Sequence, residues 1–302
     1  RTIGLYVPLY LANYCSGGCA YCGFAADRSQ PRRRLSLAEL EHELEALKGH
    51  GFEDVLLLTG ERCPEADFSY LETCVRLAAS TLHRVSVEAF AMTEAEYRAL
   101  ADAGCTGVTL YQETYDPATY REAHRWGPKR DYRARLAAAD HALSAGIRSF
   151  GIGALLGLAE PLEEAIALFQ HARYLQRRFW RSGIMISFPR LCPEQGTFKA
   201  PLTISDRWLA QLIFAFRITL PDVPLVLSTR EHPTFRDGMA GVGICRMSAG
   251  SRTSVGGYED EHRDQARQFD VHDNRSPEAF AAALQARGLE PVFKDWDATL
   301  NA

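Results

Sequence analysis

Eight short apolar runs alternate with helix-periodic segments along most of this 302-residue chain. The runs lie near 3–10, 54–59, 84–90, 106–112, 148–156, 184–189, 224–229 and 243–248. Helical periodicity is read near 37–50, 67–80, 94–104, 131–145, 161–178, 205–217 and 233–240. Such interleaving argues for parallel βαβ units. Ser36 with Glu39 forms a possible capping box, Thr93 precedes another helix start, and Gly51, Gly104 and Gly146 stand where left-handed C-caps are wanted. Eight strands in this order close most naturally into a (β/α)8 TIM-type barrel; seven or fewer would leave an open sheet.

Beyond the eighth run come a polar stretch from Tyr258 to Asp273, a helix near 276–288 and a closing segment, Pro291 to Asp297. The expected organisation is a barrel over 1–256 and a short C-terminal extension over 257–302 packed on it. No internal repeat or low-complexity linker interrupts the chain. An apolar fraction of 46% allows a large core and excludes disorder. A net charge of -4 and a pI near 6.2 leave no basic stripe for nucleic acid. The run Arg32-Arg33-Arg34 reads as a solvated loop, a loop near an anionic ligand being the alternative. The longest apolar stretch, Phe150 to Ala159, is broken by glycines and fits a buried strand, so no membrane span is expected. The chain opens on Arg1 and the strand-like Thr2 to Val7, with no signal peptide expected.

Of eight cysteines, Cys15, Cys19 and Cys22 crowd together while Cys63, Cys74, Cys105, Cys192 and Cys245 are scattered. A secreted disulfide framework would be denser, which points to a reducing, cytoplasmic setting. The scattered five read as small buried hydrophobes. The C-x3-C-x2-C spacing places three thiolates in one tight loop, which suits a cubane iron–sulfur cluster with one iron left open. Gly17 and Gly18 would let the backbone wrap closely around inorganic sulfide. Zinc is the plainer alternative, but structural zinc takes four ligands, usually from two C-x2-C pairs, and no second pair exists here.

In a parallel barrel, chemistry gathers at the C-terminal ends of the strands. Here the cysteines follow the first run. The second ends in Thr59-Gly60-Glu61, the third in Glu88 and the fourth in Gln112-Glu113-Thr114. The sixth ends in Pro189-Arg190, the seventh in Ser228-Thr229-Arg230 and the eighth in Ser248. One polar strand end is ordinary loop solvation; a ring of them on one rim marks a site.

The cysteine spacing, with aromatic Tyr21 just before the third cysteine, resembles the radical S-adenosylmethionine (SAM) superfamily. Tyr6 to Cys15, Tyr111 to Tyr115, Phe188-Pro189-Arg190, Ser228-Thr229-Arg230-Glu231, Gly256-Gly257-Tyr258 and Lys294 to Asp297 resemble its aromatic amino-acid lyases. Nearest are the tyrosine lyases (2-iminoacetate synthases) of bacterial thiamin thiazole biosynthesis. That resemblance implies a [4Fe-4S] cluster on Cys15, Cys19 and Cys22, with SAM on its open iron. It implies reductive cleavage of SAM to methionine and a 5′-deoxyadenosyl radical. Hydrogen abstraction from the amino group of L-tyrosine and Cα–Cβ scission then yield dehydroglycine (2-iminoacetate) and p-cresol.

Carried over by position, Tyr21 would lie beside the adenine, and Thr59, Gly60 and Glu61 would meet the SAM amino group. Glu88 and Arg135 would hold its ribose or methionyl part, and Gly153 would pass close to the nucleoside. Arg230 and Ser248 would fix the substrate carboxylate, Tyr10 would line the same pocket, Arg190 of the Phe188-Pro189-Arg190 motif would join the catalytic residues, and Gln112 and Glu113 would manage protons or brace the rim. A guanidinium grips a carboxylate bidentately, which is the chemistry a clamp needs. The plainer readings are a salt bridge with Glu231 for Arg230, a strand-end hydroxyl for Ser248 and a solvated helix residue for Arg135.

Implied partners are a thiazole synthase and a flavodoxin- or ferredoxin-type reductant. Relatives carry a helical N-terminal extension, whereas 14 residues precede Cys15. The related lyase that builds hydrogenase ligands bears a second cysteine cluster, which is not expected here because no cysteine follows Cys245. Two rival readings stand beside this one: a tryptophan lyase of a natural-product pathway, and a non-catalytic metal-binding barrel.

Overall fold

A computed structural model describes residues 1–192, 198–259 and 266–294. Strands β1 (Thr2–Tyr10), β2 (Asp54–Leu58), β3 (Arg84–Glu88), β4 (Cys105–Thr109), β5 (Ser149–Gly153), β6 (Gly183–Ser187), β7 (Leu225–Leu227) and β8 (Arg246–Ser248) pair in sequence order, all parallel. β1 closes the ring by pairing with both β2 (Val7 beside Val55) and β8 (Tyr6 beside Ser248). The fold is an eight-stranded parallel barrel ringed by helices. A ninth strand, β9 (Glu290–Val292), pairs with the start of β1, Thr2 beside Glu290.

The helices are α1 (Leu37–Gly49), α2 (Phe68–Thr81), α3 (Glu94–Asp102), α4 (Pro117–Ala123), α5 (Tyr132–Ser144), α6 (Pro161–Arg178), α7 (Asp206–Thr219), α8 (Pro233–Met239) and α9 (Pro277–Ala286). Both expected caps form reciprocal capping boxes, Ser36 with Glu39 and Thr93 with Glu96. Gly51, Gly104 and Gly146 all take positive φ just past their helices.

Alternation along each strand sorts side chains into two cores. Leu5, Val7, Leu9, Val55, Leu57, Ile184, Ile186, Leu225 and Leu227 face the helices. Tyr6, Tyr10, Leu56, Leu58, Met185 and Val226 fill the barrel interior with Phe24. Near the strand starts, buried Asp54 pairs with Arg246 at 2.6 Å and faces Arg84 at 3.9 Å, a polar base beneath the apolar plug.

Three expectations need correction. The eighth apolar run spans 243–248, but only Arg246–Ser248 joins the sheet. Residues 241–244 turn back instead, Gly241 N–H donating to Ile244 O and Ile244 N–H to Met239 O. Helix α4 stands where none is expected, although Asp116 as N-cap and Pro117 at the first turn are good start signals. β9 is the third, a three-residue strand too short for periodicity to announce. The part of the closing motif at 295–297 lies outside the described residues.

Candidate active site

The cysteine loop follows β1 and is held from every side by backbone. Gly18 N–H donates to Trp126 O and Ala20 N–H to Ala123 O, Ser16 N–H reaches Glu61 O, and Gly23 N–H reaches Gln268 O. Arg32 is not the solvated residue expected of its run. Its guanidinium donates to the carbonyls of Asn13 (2.6 Å), Phe24 (2.8 Å) and Ala25 (2.5 Å), lacing the loop to its base. Close approach of protein atoms requires glycine at two positions of this region. A Cβ on Gly18 would sit 2.4 Å from the Trp126 ring, and one on Gly60 would sit 2.4 Å from Tyr14 O.

Above the barrel plug opens a concave cavity whose mouth reaches solvent. Cys15, Cys19, Cys22, Tyr21, Thr59, Gly60, Glu61, Glu88, Glu113, Arg135 and Arg230 all line it. Thus eleven positions singled out in the sequence converge from the ends of five strands and one helix. Tyr10, Gln112, Gly153, Arg190 and Ser248 are not among its lining residues.

Each of those five has another local role. Tyr10 is buried, packs edge-on against Phe24 and donates its hydroxyl to Gln268 Oε1 at 2.6 Å. Gln112 is buried, and neither of its side-chain polar atoms is hydrogen-bonded among the described residues. Gly153 lets the Tyr111 ring lie against β5, where a Cβ would come within 2.8 Å of it. Arg190 is consumed by Glu231, by Asp206 at 2.8 Å and by Ile204 O at 2.8 Å. Ser248 Oγ accepts the Thr229 N–H at 3.1 Å.

Glu231 therefore belongs to Arg190, not to Arg230. The Arg230 guanidinium lies over the Phe269 ring, 3.4 Å from its centroid, and meets no carboxylate among the described residues. Arg135 is not solvated either. It is buried, donates to Tyr111 O at 2.9 Å and lies 3.4 Å from Glu61 and 3.7 Å from Glu113. Glu113 adopts φ +69° and is clamped by Lys129 at 2.6 Å. Burial alone would raise its pKa, but Lys129 and then Arg135 outweigh it and hold the carboxyl below the ordinary glutamate value. Glu88 goes the other way: burial, reinforced by Glu113, pushes its carboxyl up to about 7.

Lys129, Tyr111, Cys192, Gln268 and Phe269 also line the cavity and were not singled out as site residues. Cys192, expected as a small buried hydrophobe, is only half-buried there; Cys63 and Cys245 are likewise half-buried, while Cys74 and Cys105 are buried. Lys129 had a discoverable partner only in three dimensions.

A model of the radical SAM superfamily matches residues 9–172, and a biotin and thiamin synthesis associated domain matches 187–290. A 2-iminoacetate synthase of Escherichia coli (strain K12) is 41% identical over the whole chain, which spans 80% of that relative. The chain belongs to the radical SAM superfamily, in the family of the 2-iminoacetate synthases. Among solved structures, the FeFe-hydrogenase maturase HydG from Carboxydothermus hydrogenoformans superposes with a TM-score of 0.91 at 36% identity, covering 97% of this chain and 68% of that one. Methylornithine synthase (PylB) shares the fold, with a TM-score of 0.75 at 21% identity, covering 96% of this chain and 84% of that one.

The radical SAM family implies a [4Fe-4S] cluster and SAM, and the donor set fits them. Cys15 Sγ accepts the N–H groups of Gly17 and Glu61, both at 3.3 Å. Cys22 Sγ accepts Phe24 N–H at 3.4 Å and Gln268 Nε2 at 3.7 Å. Donors aimed at sulfur suit thiolate ligands. Without metal, burial pushes the thiol pKa of Cys15 up to about 11 and of Cys19 up to about 12, so metal binding must displace protons. Among the described residues, no three His, Cys, Asp or Glu side chains converge closely enough to hold a single ion. No helix among the described residues is long and apolar enough to cross a membrane.

Proposed function

We propose that this chain cleaves L-tyrosine at Cα–Cβ to 2-iminoacetate and p-cresol, with SAM converted to methionine and 5′-deoxyadenosine, for thiamin thiazole biosynthesis. The observation that supports an amino-acid substrate is Arg230, a cation facing the cavity with no salt bridge to a carboxylate among the described residues. The 41% identity to a 2-iminoacetate synthase supports tyrosine as that amino acid. Bound in the cavity, the cluster and SAM supply an electron and a carbon-centred radical. Cys15, Cys19 and Cys22 would hold the cluster, and Tyr21, Thr59, Gly60, Glu61, Glu88 and Arg135, which line the same cavity, would contact SAM.

Arg230 grips the tyrosine carboxylate through its paired N–H groups, and the Phe269 face beneath keeps the guanidinium plane from rotating. Positioning decides the outcome, because a primary radical takes whichever hydrogen is nearest. Glu113, salt-bridged to Lys129, is a fixed anion rather than a proton acceptor. Glu88, whose carboxyl burial pushes upward, is a lining group suited to holding a proton. Gln268 and Phe269 wall the cavity against water, which protects a hydrolysable imine until handover. A thiazole synthase as acceptor and a flavodoxin- or ferredoxin-type reductant as electron source fit this chemistry.

The test is anaerobic loading with iron and sulfide, then incubation with SAM, a reductant and either tyrosine or tryptophan. p-Cresol from tyrosine is expected. Formation of 3-methylindole or 3-methyl-2-indolic acid from tryptophan, with no p-cresol, overturns the tyrosine assignment.

A further inference from the structure

One side chain of the post-barrel segment reaches the cysteine loop itself. Gln268 is 246 residues from Cys22 in sequence, yet its Nε2 lies 3.7 Å from Cys22 Sγ. Its backbone is pinned twice, Gln268 N–H donating to Thr253 O at 3.0 Å and Gly23 N–H donating to Gln268 O at 3.0 Å. A Cβ on Gly23 would come within 2.4 Å of Arg267 O and 2.8 Å of Gln268 O, so this seat exists only because residue 23 has no side chain.

The orientation of the amide is decided by its neighbours. Tyr10 donates its hydroxyl to Oε1 at 2.6 Å. That commits the acceptor end of the amide to the phenol and leaves the NH₂ end facing sulfur. Turned over, the carbonyl oxygen would oppose the sulfur lone pairs, a repulsive contact. Among the described residues, Gln268 is the one side chain donating to a cysteine of the loop; the other donors to Cys15 and Cys22 are backbone N–H groups.

Hydrogen bonds to cluster sulfurs raise reduction potential, because the added electron increases negative charge on the thiolates and the donors favour that state. We propose that Gln268, oriented by Tyr10, donates an N–H···S bond to the Cys22 thiolate and thereby raises the reduction potential of the cluster. The proposal rests on the cluster reading above.

The experiment is an EPR-monitored redox titration of the anaerobically loaded full chain, without substrate, alongside iron and sulfide content. Gln268→Leu removes the donor; Tyr10→Phe keeps the ring against Phe24 but frees the amide. The expected result is a lower midpoint potential in Gln268→Leu at unchanged iron content, and a smaller fall in Tyr10→Phe. An unchanged or higher midpoint in Gln268→Leu overturns the proposal. If that variant does not keep its iron, Tyr10→Phe decides: a fall upholds the proposal and no shift overturns it. Absence of iron and sulfide from the unaltered chain would instead overturn the cluster reading, a distinct result.

Discussion

On the side of the cavity built by β2, β4 and α5, the cations have internal partners. Arg135 lies between Glu61 and Glu113, and Lys129 caps Glu113. On the side built by β6 and β7, two arginines share one neighbourhood and differ completely. Arg190 is paired with Glu231 and Asp206, whereas Arg230 meets a phenyl face. Paired buried charges hold a shape; a cation left over, pointing into a cavity, is ready for an anion from outside. The contrast separates residues that build the site from the residue that receives the substrate.

The contrast is most exposed at Arg230. In Arg230→Ala, p-cresol formation should fall about 10–200-fold while 5′-deoxyadenosine formation continues, the loss of one to two charge-assisted hydrogen bonds. Unchanged coupling between the two products would remove the clamp. Arg190→Met should act on stability instead. Stranding Glu231, which is 2% exposed, costs about 3 kcal/mol, read as a lower urea midpoint, with the ratio of p-cresol to 5′-deoxyadenosine unaltered. A change in that ratio would place Arg190 in the substrate site.

The smallest effect concerns Glu88 in the metal-free protein. Its folded pKa of about 7 lies above the ordinary value of 4.5, so the folded state binds this proton more tightly than the unfolded one. The stability contributed by protonated Glu88 is fully present below 4.5 and is lost as pH rises through about 7. Glu88→Gln should therefore be more stable than the parent at pH 8, relative to pH 4, by about 1–3 kcal/mol. Parallel stability profiles for the two proteins would show that Glu88 titrates normally.

Much of this was legible in order along the chain. The cysteine spacing and the polar residues closing each apolar run are local signals, and local chemistry suffices to read them. The barrel followed because eight such runs with helices between them have few ways to close. What escaped depends on pairing across distance. Lys129 finds Glu113 only when η1 (Pro128–Arg130) folds against β4. Gln268 finds Cys22 only when the post-barrel segment returns to the mouth. Arg190 and Arg230 have similar neighbours in sequence, and only tertiary geometry gives Glu231 to the first. Tyr10, Gln112 and Ser248 stand on the expected strand ends, yet side-chain direction, which period alone does not fix at a strand's last turn, takes them away from the cavity wall.

The separation between Cys22 and Gln268 also orders events during synthesis. A ribosome adding about 5–20 residues per second emits the cysteine loop roughly 12–50 s before the residue that covers it. For most of that interval the thiols belong to a nascent chain in which β8 has yet to be made. Iron delivered then would meet a loop that Gln268 does not yet cover.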